Sequence, residues 1–183
     1  MKDMKWKTLD REYLFRRPWL TARRDKVQLP DGRVMDDYYV LEYPTWVNVI
    51  AITQDGKMVL VRQYRHALGV TRFELCAGVV EENETPLQAA QRELLEETGF
   101  GGGTWQEYMC LSPNASTMNN LSYSFLAEGV MPMSQQHLDS TEDLEVHILT
   151  KEKVYELLKN GGLMQALMVA PLWKYFSGQS MNH

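Results

Sequence analysis

Short runs in which apolar and polar positions alternate occupy much of the first seventy or so residues and predict strands. Between Arg23 and Tyr43, RRDKVQL and RVMDDYYVLEY flank Pro30-Asp31-Gly32, whose turn chemistry predicts a hairpin. A second hairpin follows, with WVNVIAIT and KMVLVRQYR on either side of Gln54-Asp55-Gly56; Asp-Gly is a strong tight-turn signal. Phe73 to Val80 reads as another strand, leading into a loop that carries Glu81, Glu82 and Glu84. The pattern then changes to a helical one. Thr85 suits the N-cap, Pro86 the first helical position, and Gln88 completes a capping box, while Gly99 supplies the stop after Thr98. Within these limits Leu87, Ala90, Leu94 and Leu95 form the expected apolar stripe, and Glu93 and Glu97 lie one turn apart on another side.

After the flexible turn expected at Gly101-Gly102-Gly103, TWQEYMCLS and LSYSFLAEGV are strand-like around a loop from Pro113 to Asn120. Residues 132–142 form a polar loop and LEVHILT a last strand. Lys151 to Lys159 is expected to be helical up to Gly161-Gly162, and Leu163 to Phe176 forms a further helix whose straightness Pro171 puts in question. Interleaved strands and helices predict an α+β domain, layered as α/β/α.

A length of 183 residues fits one domain with an extension. The predicted boundary sets residues 1–43 apart as a β extension from a main domain at 44–183. No segment reaches the ~20 apolar residues of a membrane span, and the charged start MKDMKWKTLDREYLF is unlike a secretory signal. A soluble, cytoplasmic protein is expected. Cys76 and Cys110 lack metal-finger spacing and read as reduced, buried thiols. The net charge of −5 conceals an asymmetry, because residues 1–26 hold nine Lys/Arg against four acids. This mixed-sign stretch, interrupted by Trp6, Tyr13, Phe15 and Trp19, is expected to pack within the fold, since an acidic body repels a nucleic-acid backbone. A small phosphorylated ligand suits it.

The chemistry concentrates in GVVEENETPLQAAQRELLEETGF, Gly78 to Phe100. At ~100° per residue Glu93 and Glu97 stack one turn apart with Glu96 beside them, so like charges meet near a helix C-terminus, where the macrodipole disfavours them. Something cationic must offset this. Carboxylates without His or Cys suit Mg²⁺ or Mn²⁺, and Mg²⁺ commonly joins carboxylates to substrate phosphates. An isolated ExxEE also describes an ordinary solvated helix face with Arg92 as ion-pair partner.

The full spacing, Gly78, five residues, Glu84, seven residues, Arg92-Glu93-Leu94, then Glu96-Glu97, Gly99 and Phe100, resembles the Nudix box Gx5Ex7REUxEExGU. The resemblance to Nudix hydrolases implies a Nudix-type α/β/α sandwich with a mixed sheet and hydrolysis of a nucleoside diphosphate linked to another group. It implies that Glu93 and Glu97 are the main metal ligands, with Glu96 acting directly or through water and the Ala77 carbonyl as a further ligand. Arg92 would orient the glutamates, Glu84 would pair with it, and Gly78 would let the backbone approach the metal.

Gln63-Tyr64-Arg65 followed by Glu74-Leu75-Cys76-Ala77-Gly78 resembles the branch of ADP-ribose pyrophosphatases and nucleoside diphosphate sugar hydrolases, although Cys76 stands where that branch often has proline. The resemblance implies Glu142 on a mobile loop as metal ligand or water-activating base, with Asp139 in reserve and a solvated loop as the plain alternative. Arg65 is a candidate phosphate clamp or a structural strand end; Trp46 either stacks on a nucleobase or belongs to the core. The branch's N-terminal segment crosses to a second subunit, implying a homodimer in which Arg24 or Arg23 bears on substrate. GDP-mannose, a dinucleotide, or non-catalytic sensing of a nucleotide sugar are the alternative readings.

Overall fold

A computed structural model of the chain describes residues 3–139 and 142–179 and divides into two compact units. The first comprises residues up to Pro44 together with Ser112–Leu121. Its strands β1 (Lys7–Arg17), β2 (Leu20–Gln28) and β3 (Val34–Glu42) form an antiparallel sheet in that order. The expected hairpin is thus joined by a third strand that apolar alternation does not mark. Charge pairs across the strands accompany its register. Asp25, 4% exposed, accepts from Arg11 and Arg23; Arg24 bridges Glu12 and Asp37, and Lys26 meets Asp36. Much of the basic arm is therefore neutralised within its own sheet. The loop Ser112–Leu121 docks on β3, where the Leu41 N–H donates to the Thr117 carbonyl at 2.7 Å and the Tyr38 hydroxyl to the Ser116 carbonyl at 2.7 Å.

The second unit, Thr45–Leu111 with Ser122 onward, contains β4 (Trp46–Thr53), β5 (Met58–Arg65), β6 (Val70–Glu74), β7 (Cys76–Val79), α1 (Pro86–Thr98), β8 (Phe100–Gly101), β9 (Thr104–Leu111), β10 (Ser122–Pro132), β11 (Leu144–Leu149), α2 (Lys151–Lys159) and α3 (Ala166–Gln179). The central order is β11-β5-β4-β10-β8, with β6 beside β5, β7 beside β4 and β9 beside β10. The β4–β10 pair is parallel and the others antiparallel, so the sheet is mixed. β4 is buried at every position after Trp46, as a strand covered on both faces must be. Val47, Val49 and Ala51 pack with Leu94 and Phe125 towards α1, whereas Ile50 and Ile52 pack with Leu60, Val154 and Leu172 towards α2 and α3. This is the expected α/β/α layering. No described helix is long and apolar enough to cross a membrane.

Three local expectations change. The buried face of α1 is Ala89, Ala90, Glu93, Leu94, Glu97 and Thr98, whereas Leu87 is 39% exposed; the helix turns its acidic row inward beside its apolar one. Cys76 is buried, but Cys110 on β9 is exposed. α3 runs through Pro171 without a break. A proline leaves the carbonyl four residues earlier without its helical donor, here that of Leu167, and the buried Asn48 side chain supplies one through Nδ2 at 3.2 Å.

Asn48→Ala is expected to destabilise the protein by about 1–3 kcal/mol through the orphaned Leu167 carbonyl. Pro171→Ala, which restores a backbone donor, should make the same substitution cheaper. Equilibrium urea unfolding of both single variants and the double variant checks this, and additive losses would show that the two residues are uncoupled.

Candidate metal and active site

The site starts from the two ends of α1. At its N-terminus the Gln88 N–H donates to Thr85 Oγ1 at 3.3 Å and the Thr85 N–H to Gln88 Oε1 at 2.8 Å, completing the capping box. At its C-terminus Gly99 takes φ 74° and donates to the Leu95 carbonyl, a conformation glycine adopts readily. Burial of Ala89, Ala90 and Leu94 fixes the rotation of the helix, so Glu93 and Glu97, 8% and 3% exposed, face strand β7. There the Ala77 N–H donates to Glu97 Oε2 at 3.2 Å. Gly78 is a steric requirement: a Cβ on it would lie 2.0 Å from the Glu93 carboxyl carbon.

Arg92 braces the cluster. Its guanidinium donates to both oxygens of Glu84 (2.9 and 3.0 Å), to Glu93 Oε1 (2.9 Å), to Glu96 Oε2 (3.1 Å) and to the Val79 carbonyl (3.0 Å). Glu84 above all, then Glu93 and Glu96, hold it firmly charged against burial. The fork spans the loop after β7 and the middle of α1.

The third carboxylate comes from elsewhere. Glu93, Glu97 and Glu142 each bring an oxygen within 4.8 Å of the others. Glu96, expected to converge with Glu93 and Glu97, turns to Arg92 with its side chain 44% exposed. The segment leading to Glu142 is anchored on carbonyls that the end of α1 leaves unpaired: Gln136 Nε2 donates to the Glu97 carbonyl at 2.7 Å, the His137 N–H to Glu96 at 2.8 Å, and the Met133 N–H to Gly99 at 2.8 Å. The Asp139 N–H donates to Glu142 Oε2 at 2.9 Å, so Asp139 positions the Glu142 carboxylate through its backbone.

The arrangement suits a hard divalent cation. Burial pushes Glu97 up to about 7, opposed by the Cys76 thiol and the Ala77 N–H; Glu93 is raised too, by burial first, despite Arg92. Two buried carboxylates beside a third, with no nitrogen or sulfur in the set, match the oxygen ligands preferred by such ions.

Across β7 from these acids, on the α3 side of the sheet, lies a cavity of about 410 Å³ lined by Trp46, Asn48, Leu68, Glu74, Ala77 and Met168 among others. Trp46 is half-buried and lines this cavity. Arg65 lines it as well, but its guanidinium is held by the buried Glu74 at 2.9 Å. Arg24 and Arg23 lie in the first unit's sheet, engaged with Glu12 and Asp37 and with Asp25 and Glu42 respectively. Gln136, which holds the loop to the end of α1, has no motif around it in the sequence, whereas Glu-x-x-Ala-Gly marks the position of Glu74.

Residues 43–165 match the NUDIX domain model and residues 6–41 match the nucleoside diphosphate sugar hydrolase N-terminal domain. The chain belongs to the NUDIX family and is a Nudix hydrolase of the ADP-ribose pyrophosphatase branch. It is 30% identical over 161 residues to the ADP-ribose pyrophosphatase of Bacillus subtilis (strain 168), covering 87% of this chain and 86% of that protein. Over 131 residues it is 31% identical to the ADP-ribose pyrophosphatase of Mycobacterium tuberculosis (strain ATCC 25618 / H37Rv), covering 71% of this chain and 63% of that one. A crystal structure of an ADP compounds hydrolase superposes with a TM-score of 0.83 over 98% of both chains at 23% identity, a likeness of fold.

The raised Glu97 has a consequence for stability. Its neutral form is the one the folded, metal-free chain favours, so its contribution is fully present below about 4.5 and lost as pH rises through about 7, on the order of 3 kcal/mol. Metal-free protein is therefore expected to lose stability relative to Glu97→Gln between pH 5 and 8, and a divalent cation should reverse the loss. Denaturant titrations across that range check it; a constant difference between the two proteins would contradict it.

Proposed function

We propose that the chain hydrolyses the pyrophosphate of ADP-ribose or a related nucleoside diphosphate sugar, giving a nucleoside monophosphate and a sugar phosphate, with Mg²⁺ (or Mn²⁺) as cofactor. The carrying observation is the convergence of Glu93, Glu97 and Glu142 beside Gly78 and Ala77, residues of β7 that also line the cavity. The names of the relatives support the substrate class.

In this reading Glu93 and Glu97 would hold the cation, with the Ala77 carbonyl as a further ligand and Glu96 contributing directly or through water. A bound Mg²⁺ would supply charge neutralisation on the pyrophosphate and a lowered pKa for the attacking water. Arg92, locked to Glu84, keeps the glutamate row in one rotamer set. Glu142 accepts the proton of the water or completes the ligand set, held in place by the Asp139 N–H. Arg65 and Trp46 contact the substrate at the cavity, the first at phosphate and the second at an aromatic face. The oxygen of water bonds to one phosphorus of the bridge as the bond from that phosphorus to the bridging oxygen breaks; the bridging oxygen leaves on the other phosphate, and the protons of the water are shared out between the two products and solvent.

Two subunits are proposed, associating through residues 1–43, with residues 44–183 as the catalytic domain and Arg24 or Arg23, on the middle strand β2 of the arm's sheet, bearing on substrate. Support comes from β1, an edge strand exposed at every position but Tyr13, with Leu9, Leu14 and Phe15 uncovered; uncovered apolar edges invite a partner chain.

Incubated with Mg²⁺ and ADP-ribose, ADP-glucose, GDP-mannose, UDP-glucose or NADH, the protein is expected to turn over an ADP-sugar fastest, scored by phosphate release after phosphatase coupling. Glu97→Gln should lower kcat by at least ~100-fold with circular dichroism unchanged; wild-type rates in that variant would remove Glu97 from the mechanism. Phe15→Glu is expected to shift the mass measured by light scattering from dimer to monomer, and an unaltered dimer would exclude β1 from the interface.

A further inference from the structure

Resting on the proposed hydrolysis of a nucleoside diphosphate-linked substrate, the α3-side cavity shows an imbalance of charge that this function does not use. Three charged side chains line it: Arg65, Arg72 and Glu74. Glu74 is 3% exposed and bonded through both carboxylate oxygens to Arg65, with Gln63 Nε2 a further donor at 3.4 Å. One guanidinium and one carboxylate thus cancel. Arg72 remains. Its Nη1 donates to the neighbouring Thr71 carbonyl at 3.1 Å and its Nε meets Met164 Sδ at 3.3 Å, and thioether sulfur is a weak acceptor. Among the described residues, each of the other arginines of this unit, Arg62, Arg65 and Arg92, has a carboxylate partner and Arg72 has none.

Arg72 is also placed by the fold. On β6, Val70, Arg72 and Glu74 line the cavity while Thr71 and Phe73 do not, the alternation of a pleated strand. Leu68, Leu167 and Met168 make much of the remaining wall, and a low-dielectric wall strengthens the attraction of a fixed cation for an anion. At ~3.3 Å per residue Arg72 is at most ~17 Å of extended chain from Ala77, so a molecule held at its bridge beside Ala77 can extend an arm towards Arg72.

We infer that Arg72 is a specificity-determining residue that reads an additional anionic group, carboxylate or phosphate, on the arm of the substrate that enters this cavity. A guanidinium fork matches the paired oxygens of either group, whereas a neutral sugar or base leaves it with a carbonyl and a sulfur.

The test compares matched substrates that differ by that group. ADP-ribose is set against ADP-ribose bearing a further phosphate on its adenosine ribose, and UDP-glucose against UDP-glucuronate. For each, kcat/KM with Mg²⁺ and Kd by calorimetry are measured on wild type, Arg72→Gln and Arg72→Lys. Wild type is expected to favour the charged member of at least one pair by tenfold or more; the phosphate pair alone, or the carboxylate pair alone, identifies the source of the anion. Arg72→Gln should collapse that ratio to near one, with Arg72→Lys intermediate. Equal values within both pairs for wild type, or a preference that survives Arg72→Gln, overturns the inference. Since Kd is read independently, binding without cleavage of any compound counts against the hydrolytic reading and leaves the Arg72 comparison decisive. Should Arg72→Gln not fold, the wild-type ratios alone decide.

Discussion

Two carboxylates are carried into the protein by the same helix face that builds its core. On α1 the row Ala90, Leu94, Thr98 and the row Ala89, Glu93, Glu97 run side by side, and all six residues are buried. Burying Leu94 against Val47, Val49 and Phe125 is favourable, and once that packing fixes the helix, Glu93 and Glu97 are left almost wholly out of solvent. Their desolvation is the energetic cost around which the rest of the site is organised. Part of it is offset by fixed donors, Arg92 on Glu93 and the Ala77 N–H on Glu97. The remainder favours a positive charge beside the cluster of Glu93, Glu97 and Glu142.

The end of α1 performs a second task by the same economy of orphan groups. Its last carbonyls have no helical donors, and the chain after β10 satisfies three of them through Gln136, His137 and Met133. Capping the helix and delivering Glu142 are consequently one structural act. Glu142 lies ten residues beyond Pro132, where β10 ends, and a carboxylate on so long a connection would otherwise lose conformational entropy on reaching the cluster; here the helix end restrains its approach.

The chain pattern disclosed most of this wherever local chemistry decides structure. The Asp-Gly turn before Lys57, the capping box at Thr85 and the stop at Gly99 are short-range signals, and the corresponding elements follow them. The spacing of Gly78, Arg92 and the glutamates is equally local, because α1 brings residues four apart to one face. What long-range packing decides was not legible. Leu87 is as apolar as Leu94, yet it lies on the side of α1 that meets no layer, while Glu96 is drawn from the carboxylate group by Arg92. β1 lacks alternation because its pairing rests on charges across the sheet, such as Arg11 with Asp25. Cys110 is exposed because β9 is covered poorly at the margin of its sheet. The pairing of Arg65 with Glu74 joins positions nine apart whose register partners are Val70 and Val61 respectively, so the long guanidinium side chain reaches along the strand pair and not straight across it.

Strand β4 connects these levels. Its odd-numbered residues Val47, Val49 and Ala51 support α1 and hence the acids, whereas its even-numbered residues Trp46 and Asn48 face the cavity and Ile50 and Ile52 the α2–α3 core. A slip of one residue in its register with β7 and β10 would exchange the two sets, placing Trp46 and Asn48 against the helix that carries the carboxylates. Asn48 then has a role beyond packing: by capping the Leu167 carbonyl that Pro171 leaves free, it ties α3, the far wall of the cavity, to this strand. The wall cannot shift without breaking a buried hydrogen bond, and the cavity keeps a fixed relation to Ala77 and Gly78, where it meets the acidic cluster.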